Sequence, residues 1–210
     1  MTKLETLNRL YQTAIMAIVR IDTIQRGFEI VDGCLAGGVD CMEISFTNSR
    51  APEFIRAIQE KYQDKMLVGA GTVLDSETAR IAILAGAKFI ISPNFSKDVA
   101  KLCNRYQVPY MPGCTSYTEV IEALEYGASM IKAFPISNYY GASLGKVFKT
   151  PLPYLPILSS GGATPENIGE WLKNGIQVVG VGSLLTTGTV ENIRENAARF
   201  VEGVTLFRNN

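Results

Sequence analysis

Four phrases in the chain share one grammar. "CLAGGVDCMEIS", "ILAGAKFIISP", "ALEYGASMIKAFP" and "WLKNGIQVVGVGS" each run from an amphipathic helix end through a glycine into a short buried strand. The glycines, Gly38, Gly86, Gly127 and Gly175, suit the left-handed C′ position that stops a helix. The phrases recur about every 40 to 50 residues, roughly twice the length of a compact βα unit. A second strand therefore fits in each interval, and the sequence supplies "AIMAIVR" (14–20), "MLVGAGT" (66–72), "VPYMPG" (108–113) and "LPILSSGG" (155–162).

Eight strands result, each followed by a helical pattern: near 23–36, 50–62, 75–85, 96–106, 116–126, 142–149, 165–174 and 190–207. Alternation of this kind predicts a (β/α)8 barrel, the TIM-barrel architecture, preceded by a capping helix at about 3–13. The rival is an open doubly wound sheet, which requires a glycine-rich turn after its first strand. "AIMAIVRIDTIQ" has none. No linker or low-complexity segment interrupts residues 1–210, so the whole chain reads as a single barrel domain.

Composition narrows the chemistry. Twenty Lys and Arg balance twenty Asp and Glu without clustering, which argues against nucleic acid or an anionic membrane surface as partner. No apolar run reaches the roughly 18 residues of a membrane span, and the polar start "MTKLETLNRLYQTAI" is no signal peptide, so a cytoplasmic protein is expected. The four cysteines form no CxxC pair and histidine is absent. Disulfides and zinc are therefore not expected, and acid–base work falls to Lys, Glu, Asp, Tyr, Cys or hydroxyls.

In a barrel, functional side chains gather at the C-terminal ends of the strands. Those ends hold Arg20, then Glu43 with Ser45 and Thr47, then Gly71 and Thr72, Pro93, Pro112 to Thr115, Lys132 with Phe134, Ser160 to Gly162, and finally Gly182 and Ser183. Two of these are ionisable groups inside otherwise apolar strands: Glu43 in "DCMEIS" and Lys132 in "ASMIKAFPI" (128–136). Inward side chains from the second and sixth strands can meet across the mouth. A buried lysine has its ammonium form disfavoured, which favours an amine able to attack a carbonyl, with Glu43 to carry protons. The structural alternative is a buried ion pair that fixes the barrel, although such pairs rarely improve on apolar packing.

A second constellation is "SSGGATPENI" followed by "VVGVGSLL". Glycines at a strand-to-helix turn let backbone N–H groups approach an anion, and barrels often bind phosphate after strands seven and eight. Gly161, Gly162, Gly182 and Ser183 fit that role, with Thr164 as N-cap and Pro165 in the first turn of the next helix. In "VGAGTVL", Gly69 and Gly71 either ease a sharp turn or leave Thr72 to hold a carboxylate with its hydroxyl and N–H.

Together, "IMAIVR", "LAGGVDCMEIS", "VGAGTVL", "FIISPNF", "YMPGCTS", "IKAFP", "SGGATPENI" and "VGVGS" resemble, in order and spacing, the Schiff-base aldolases acting on 2-keto-3-deoxy-6-phosphogluconate and 4-hydroxy-2-oxoglutarate. The resemblance implies a homotrimeric barrel that needs no cofactor or metal. It further implies cleavage of a 2-keto-3-deoxy-6-phospho sugar acid to pyruvate and glyceraldehyde 3-phosphate, and of 4-hydroxy-2-oxoglutarate to pyruvate and glyoxylate.

Carried over by position, the Schiff-base lysine falls on Lys132, the acid/base glutamate on Glu43 and the pyruvate-carboxylate threonine on Thr72. The hydroxyl before the Gly-Gly pair falls on Ser160, the phosphate-binding residues on Gly161, Gly162 and Ser183, and the pocket walls on Pro93 and Phe134. One position departs: many gluconate-type members carry an arginine where this chain has Thr47. Galactonate-type relatives resemble it in ending strand one with I-x-R, which falls on Arg20. Three function classes follow: the lyase of either epimer, a phosphate-binding barrel isomerase or synthase, and a non-catalytic sugar-phosphate binder.

Overall fold

The computed structural model describes residues 1–209. Its strands are β1 (Ile15–Val19), β2 (Cys41–Ser45), β3 (Leu67–Gly71), β4 (Ile90–Ile91), β5 (Tyr110–Met111), β6 (Gly113–Cys114), β7 (Ile131–Ala133), β8 (Ile157–Ser160) and β9 (Val178–Val181). The helices are α1 (Lys3–Thr13), α2 (Ile24–Ala36), α3 (Ala51–Tyr62), α4 (Ser76–Leu84), α5 (Lys97–Tyr106) and α6 (Tyr117–Glu125). After them come α7 (Ser137–Tyr140), α8 (Ser143–Lys149), α9 (Ile168–Lys173), α10 (Ser183–Thr186) and α11 (Val190–Arg208).

All recorded strand pairings are parallel, in the order β5-β4-β3-β2-β1-β9-β8-β7-β6. The two outermost members, β5 and β6, are consecutive in the chain, so the ring closes through Pro112. The expected (β/α)8 barrel is therefore present, with one difference: the fifth strand comes in two pieces. Proline has no N–H to give to a ladder, and at Pro112 the strand exchanges one neighbour for the other. Tyr110 and Met111 pair with β4, whereas Gly113 and Cys114 pair with β7, and the Pro112 carbonyl accepts from Lys132 N–H at 2.7 Å. A side chain at Gly113 has no room, since its Cβ would fall 2.0 Å from the Pro93 carbonyl oxygen.

The four glycines of the repeat stand where the sequence puts them. Gly38, Gly86, Gly127 and Gly175 have φ of 88°, 105°, 79° and 85°. Each closes a paired-hydrogen-bond helix stop; at α2, Gly38 N–H reaches Leu35 O and Val39 N–H reaches Cys34 O. Elsewhere the elements differ from expectation. The strand expected within 128–136 covers Ile131–Ala133 only, and α7 and α10, four residues each, lie outside the helical patterns of the sequence. Thr164 does not cap with its side chain. Its carbonyl instead opens the first turn of α9, accepting from Asn167 and Ile168, and its own N–H is held by Asn167 Oδ1 at 2.7 Å.

Period-two alternation splits the apolar residues into two layers. One face of each strand packs outward on the helices. The other face fills the barrel with Met16, Cys41, Leu67, Phe89, Met130 and Leu158, closed below by Leu10 of α1. Arg9 clamps that helix to the bottom of the barrel, bonding Asp40 at 2.7 Å and the Asp64 carbonyl at 2.5 Å. Among the described residues, no helix is long and apolar enough to cross a membrane.

Candidate active site

The same parity that sends Cys41 inward sends Glu43 and Ser45 inward further along β2, while Lys132 of β7 and Phe134, in the turn just after it, line the cavity at the same end. The barrel interior thus changes from apolar at its base to polar and charged at its C-terminal end. Glu43 is 1% exposed and its Oε2 accepts no hydrogen bond. Its carboxylate lies over Gly71, where an added Cβ would come within 2.6 Å of the carboxyl carbon. A buried carboxylate oxygen without a donor is destabilising, so folding alone gives no reason to keep it there.

Lys132 is 6% exposed and sets its ammonium 4.8 Å from the centre of the Phe134 ring. No ion pair involves it among the described residues. The buried Glu43–Lys132 salt bridge of the structural alternative is therefore absent.

A cavity of about 360 Å³ opens above these groups. Of the residues expected in the site, Arg20, Thr72, Pro93, Lys132, Phe134, Ser160, Gly161 and Gly182 all line it. Glu43 lies behind the lining, and Gly162 and Ser183 each adjoin a lining residue without lining the cavity themselves. Gly161 and Gly162 have φ of 93° and 83°, the left-handed turn that only glycine adopts freely. The Gly161 N–H is already given to Gly180 O at 3.3 Å. A separate, apolar pocket of about 280 Å³ between α6, α7 and α8 is lined by Tyr117, Leu144 and Phe148 among others and has no charged side chain.

Thr72 is held in an unusual way. Its φ of 60° is rare for a β-branched residue, and its hydroxyl lies 3.0 Å from that of Ser45. Ser45 in turn lies 3.2 Å from the Thr47 hydroxyl. Arg20 is exposed and in no ion pair among the described residues, whereas Arg50 is bound to Glu53 at 2.9 Å and lies over the Phe54 ring. Burial pushes the thiols of Cys34, Cys103 and Cys114 up to about 12 and raises that of Cys41 as well, so no thiolate competes with the lysine near neutral pH. Among the described residues, no group of three or more His, Cys, Asp or Glu side chains could hold a metal.

The family model for KDPG and KHG aldolase matches residues 6–201. The chain belongs to that family. As a member it is an aldolase, a carbon–carbon lyase. It is 35% identical over 191 residues to the 2-dehydro-3-deoxy-6-phosphogalactonate aldolase of Escherichia coli K12, covering 90% of this chain and 93% of that one. It is 33% identical over 165 residues to the 2-dehydro-3-deoxy-phosphogluconate aldolase of Treponema pallidum, covering 79% and 78%. A solved native KDPGal structure superposes with a TM-score of 0.87 at 33% identity, over 93% of this chain and 96% of that one.

Two lining residues of this aldolase, Ile18 and Asn138, are not marked by the sequence, and Asn138 is the polar one. Asn138, on α7, packs its amide against Gly161, where a Cβ would fall 2.3 Å from Oδ1. "SNYY" carries no helical periodicity and no motif, so nothing local marks it. The one hint is its closeness to "IKAFP", since residues just past a functional strand end share its rim.

Proposed function

We propose that this aldolase works through a Schiff base on Lys132 and cleaves a 2-keto-3-deoxy-6-phospho sugar acid to pyruvate and glyceraldehyde 3-phosphate. The observation that carries the reading is the lysine itself: buried, lining the cavity, and in no ion pair among the described residues. Its amine attacks the C2 carbonyl, the carbinolamine loses water, and a protonated imine results. The C3–C4 bond then breaks. Its electron pair moves into the imine to give an enamine, while the C4 hydroxyl proton leaves to a base and the aldehyde forms. Protonation at C3 and hydrolysis release pyruvate and the free amine.

Glu43 is the proton carrier of these steps. Thr72 holds the substrate carboxylate, Pro93 and Phe134 wall the pocket, and Ser160 meets the hydroxyl-bearing carbons. The phosphate lies on the turn of Gly161 and Gly162 and the segment at Gly182 and Ser183. The family resemblance extends the proposal to 4-hydroxy-2-oxoglutarate as a further substrate, and to a cytoplasmic homotrimer.

Between the epimers, Thr47 in place of an arginine and Arg20 on the cavity wall favour the galactonate form alongside the gluconate one, and the 35% identity to a galactonate enzyme points the same way. Borohydride reduction in the presence of pyruvate tests the chemistry: a stable adduct on Lys132 is expected, lost in Lys132→Met. Absence of an adduct on the wild-type chain would sink the reading. Assay of the two C4 epimers side by side decides the substrate, and elution at the size of three chains checks the assembly.

A further inference from the structure

Three hydroxyls cross the top of β2 and β3 in a line. Thr47 Oγ1 lies 3.2 Å from Ser45 Oγ, which lies 3.0 Å from Thr72 Oγ1. The two ends line the cavity and the middle does not; Ser45 is 2% exposed and meets ligand only through its neighbours. The line is held rigidly. Phe46 N–H is bound to Gly71 O at 2.8 Å, and Val73 is fixed on both sides, its N–H on Ile91 O at 3.1 Å and its carbonyl taking the Ser92 hydroxyl at 2.5 Å. Between these anchors Thr72 keeps its left-handed backbone and a fixed hydroxyl position.

A hydroxyl has one proton to give and lone pairs to receive. Three in a row therefore admit two proton orders, running one way or the other. A carboxylate only accepts. If Thr72 gives its proton to a carboxylate, its oxygen must take the Ser45 proton, and Ser45 must take that of Thr47. Thr47 then faces the cavity with lone pairs alone. The opposite order leaves Thr72 with no proton for the anion.

We propose that Ser45 is a positioning residue that transmits this order, so that a carboxylate seated at Thr72 turns Thr47 into a hydrogen-bond acceptor for the hydroxyls of the sugar acid. The proposal rests on the reading that the 2-keto acid carboxylate sits at Thr72. It gives Thr47 a role of its own: where an arginine could only donate, this threonine receives, and it does so because the other end of the substrate is in place. Each bond polarises the next, so the two ends of the substrate bind with positive coupling.

The test uses the intact protein and pyruvate as probe, with the concentration giving half-maximal borohydride trapping as the readout. Ser45→Ala is expected to raise that concentration about three- to tenfold, the worth of one hydrogen bond, with the same adduct at saturation and an unchanged melting midpoint. Ser45→Thr should restore it. In Thr72→Val the further change Ser45→Ala should add nothing, because the chain no longer has an anion to serve. Thr47→Val, on an exposed residue, should leave pyruvate trapping within about twofold and raise KM for the sugar acid severalfold, with Thr47→Ser recovering it. A wild-type half-saturation in Ser45→Ala overturns the proposal, as do multiplying effects of Ser45→Ala and Thr72→Val, or an unchanged sugar-acid KM in Thr47→Val. Should Ser45→Ala fail to fold, the Thr47 pair still decides. Failure of the wild-type chain to trap pyruvate at all would instead remove the Schiff-base reading beneath it.

Discussion

The carboxylate of Glu43 reaches along the barrel from its ladder partner Gly69 to Gly71, the partner of Ser45, and a methyl group at Gly71 would lie 2.6 Å from the carboxyl carbon. Gly71 is thus the floor on which the proposed proton carrier stands. Gly71→Ala is expected to displace Glu43 and lower kcat by at least tenfold, approaching the roughly 10²–10⁴-fold loss expected of Glu43→Gln. The melting midpoint should change little, because Gly71 has no left-handed backbone to strain. A Gly71→Ala enzyme with wild-type kcat would show that Glu43 needs no such seat.

Arg20 and Arg50 offer a contrast of neighbours. Arg50 is engaged with Glu53 and Phe54, whereas Arg20 points into the cavity with its guanidinium uncommitted. A charge-assisted hydrogen bond to a carboxylate or phosphate contributes roughly 1.5–3 kcal/mol. Arg20→Ala should therefore raise KM for phosphorylated 2-keto-3-deoxy acids about ten- to a hundredfold, and Arg50→Ala should remain near wild type. Steady-state assay of both variants checks this, and the reverse ranking would move the anion contact to the loop after β2.

Asn138 supplies a further contact. Its amide stands beside Gly161 at the cavity wall, at the end where the phosphate is proposed to bind. Asn138→Ala is expected to raise KM for the phosphorylated substrate about three- to tenfold. Pyruvate trapping, which involves no phosphate, should stay unchanged. Equal losses in both assays would mean that Asn138 supports the wall rather than the ligand.

Stability has its own pH signature at the start of α4. The Asp75 carboxylate accepts the Thr78 N–H at 2.6 Å, and that backbone hydrogen bond holds its carboxyl below the ordinary 3.8. A depressed folded-state value means that the stabilisation is complete above the unfolded value and fades as pH falls through the folded one. Asp75→Ala should cost about 1 kcal/mol or less near pH 7, as an exposed cap does, and the gap from wild type should narrow below about pH 4. Denaturant melts at the two pH values measure it; a gap of constant size would assign the effect to helix propensity instead.

Much of this was legible because it follows from short-range rules. Alternation along "CMEIS" and "MIKAF" is enough to put Glu43 and Lys132 on the inner face, and a glycine after an amphipathic run is enough to place Gly38, Gly86, Gly127 and Gly175 at helix stops. What escaped depends on distant parts of the chain. Pro112 is visible in the sequence, but that it hands one strand from β4 to β7 is a property of ring closure. Asn138 meets Gly161 across 23 positions, and the Thr47–Ser45–Thr72 line joins two strands whose register no local pattern specifies. Thr164 has the type of a cap residue, but α9 starts without a side-chain cap: Asn167 precedes it and turns its Oδ1 back to the Thr164 N–H.

The helix α1, pinned by Arg9 beneath the barrel, gives the cavity a blind end. A chamber with a single mouth imposes a sequence on its traffic. On the proposed Schiff-base reading the three-carbon fragment stays joined to Lys132 after the aldehyde has formed, so the aldehyde departs before pyruvate can follow. In the condensing direction pyruvate has to arrive first. Product inhibition should carry that order: pyruvate, the last to leave, competes with the sugar acid for the empty enzyme, while glyceraldehyde 3-phosphate inhibits without competing.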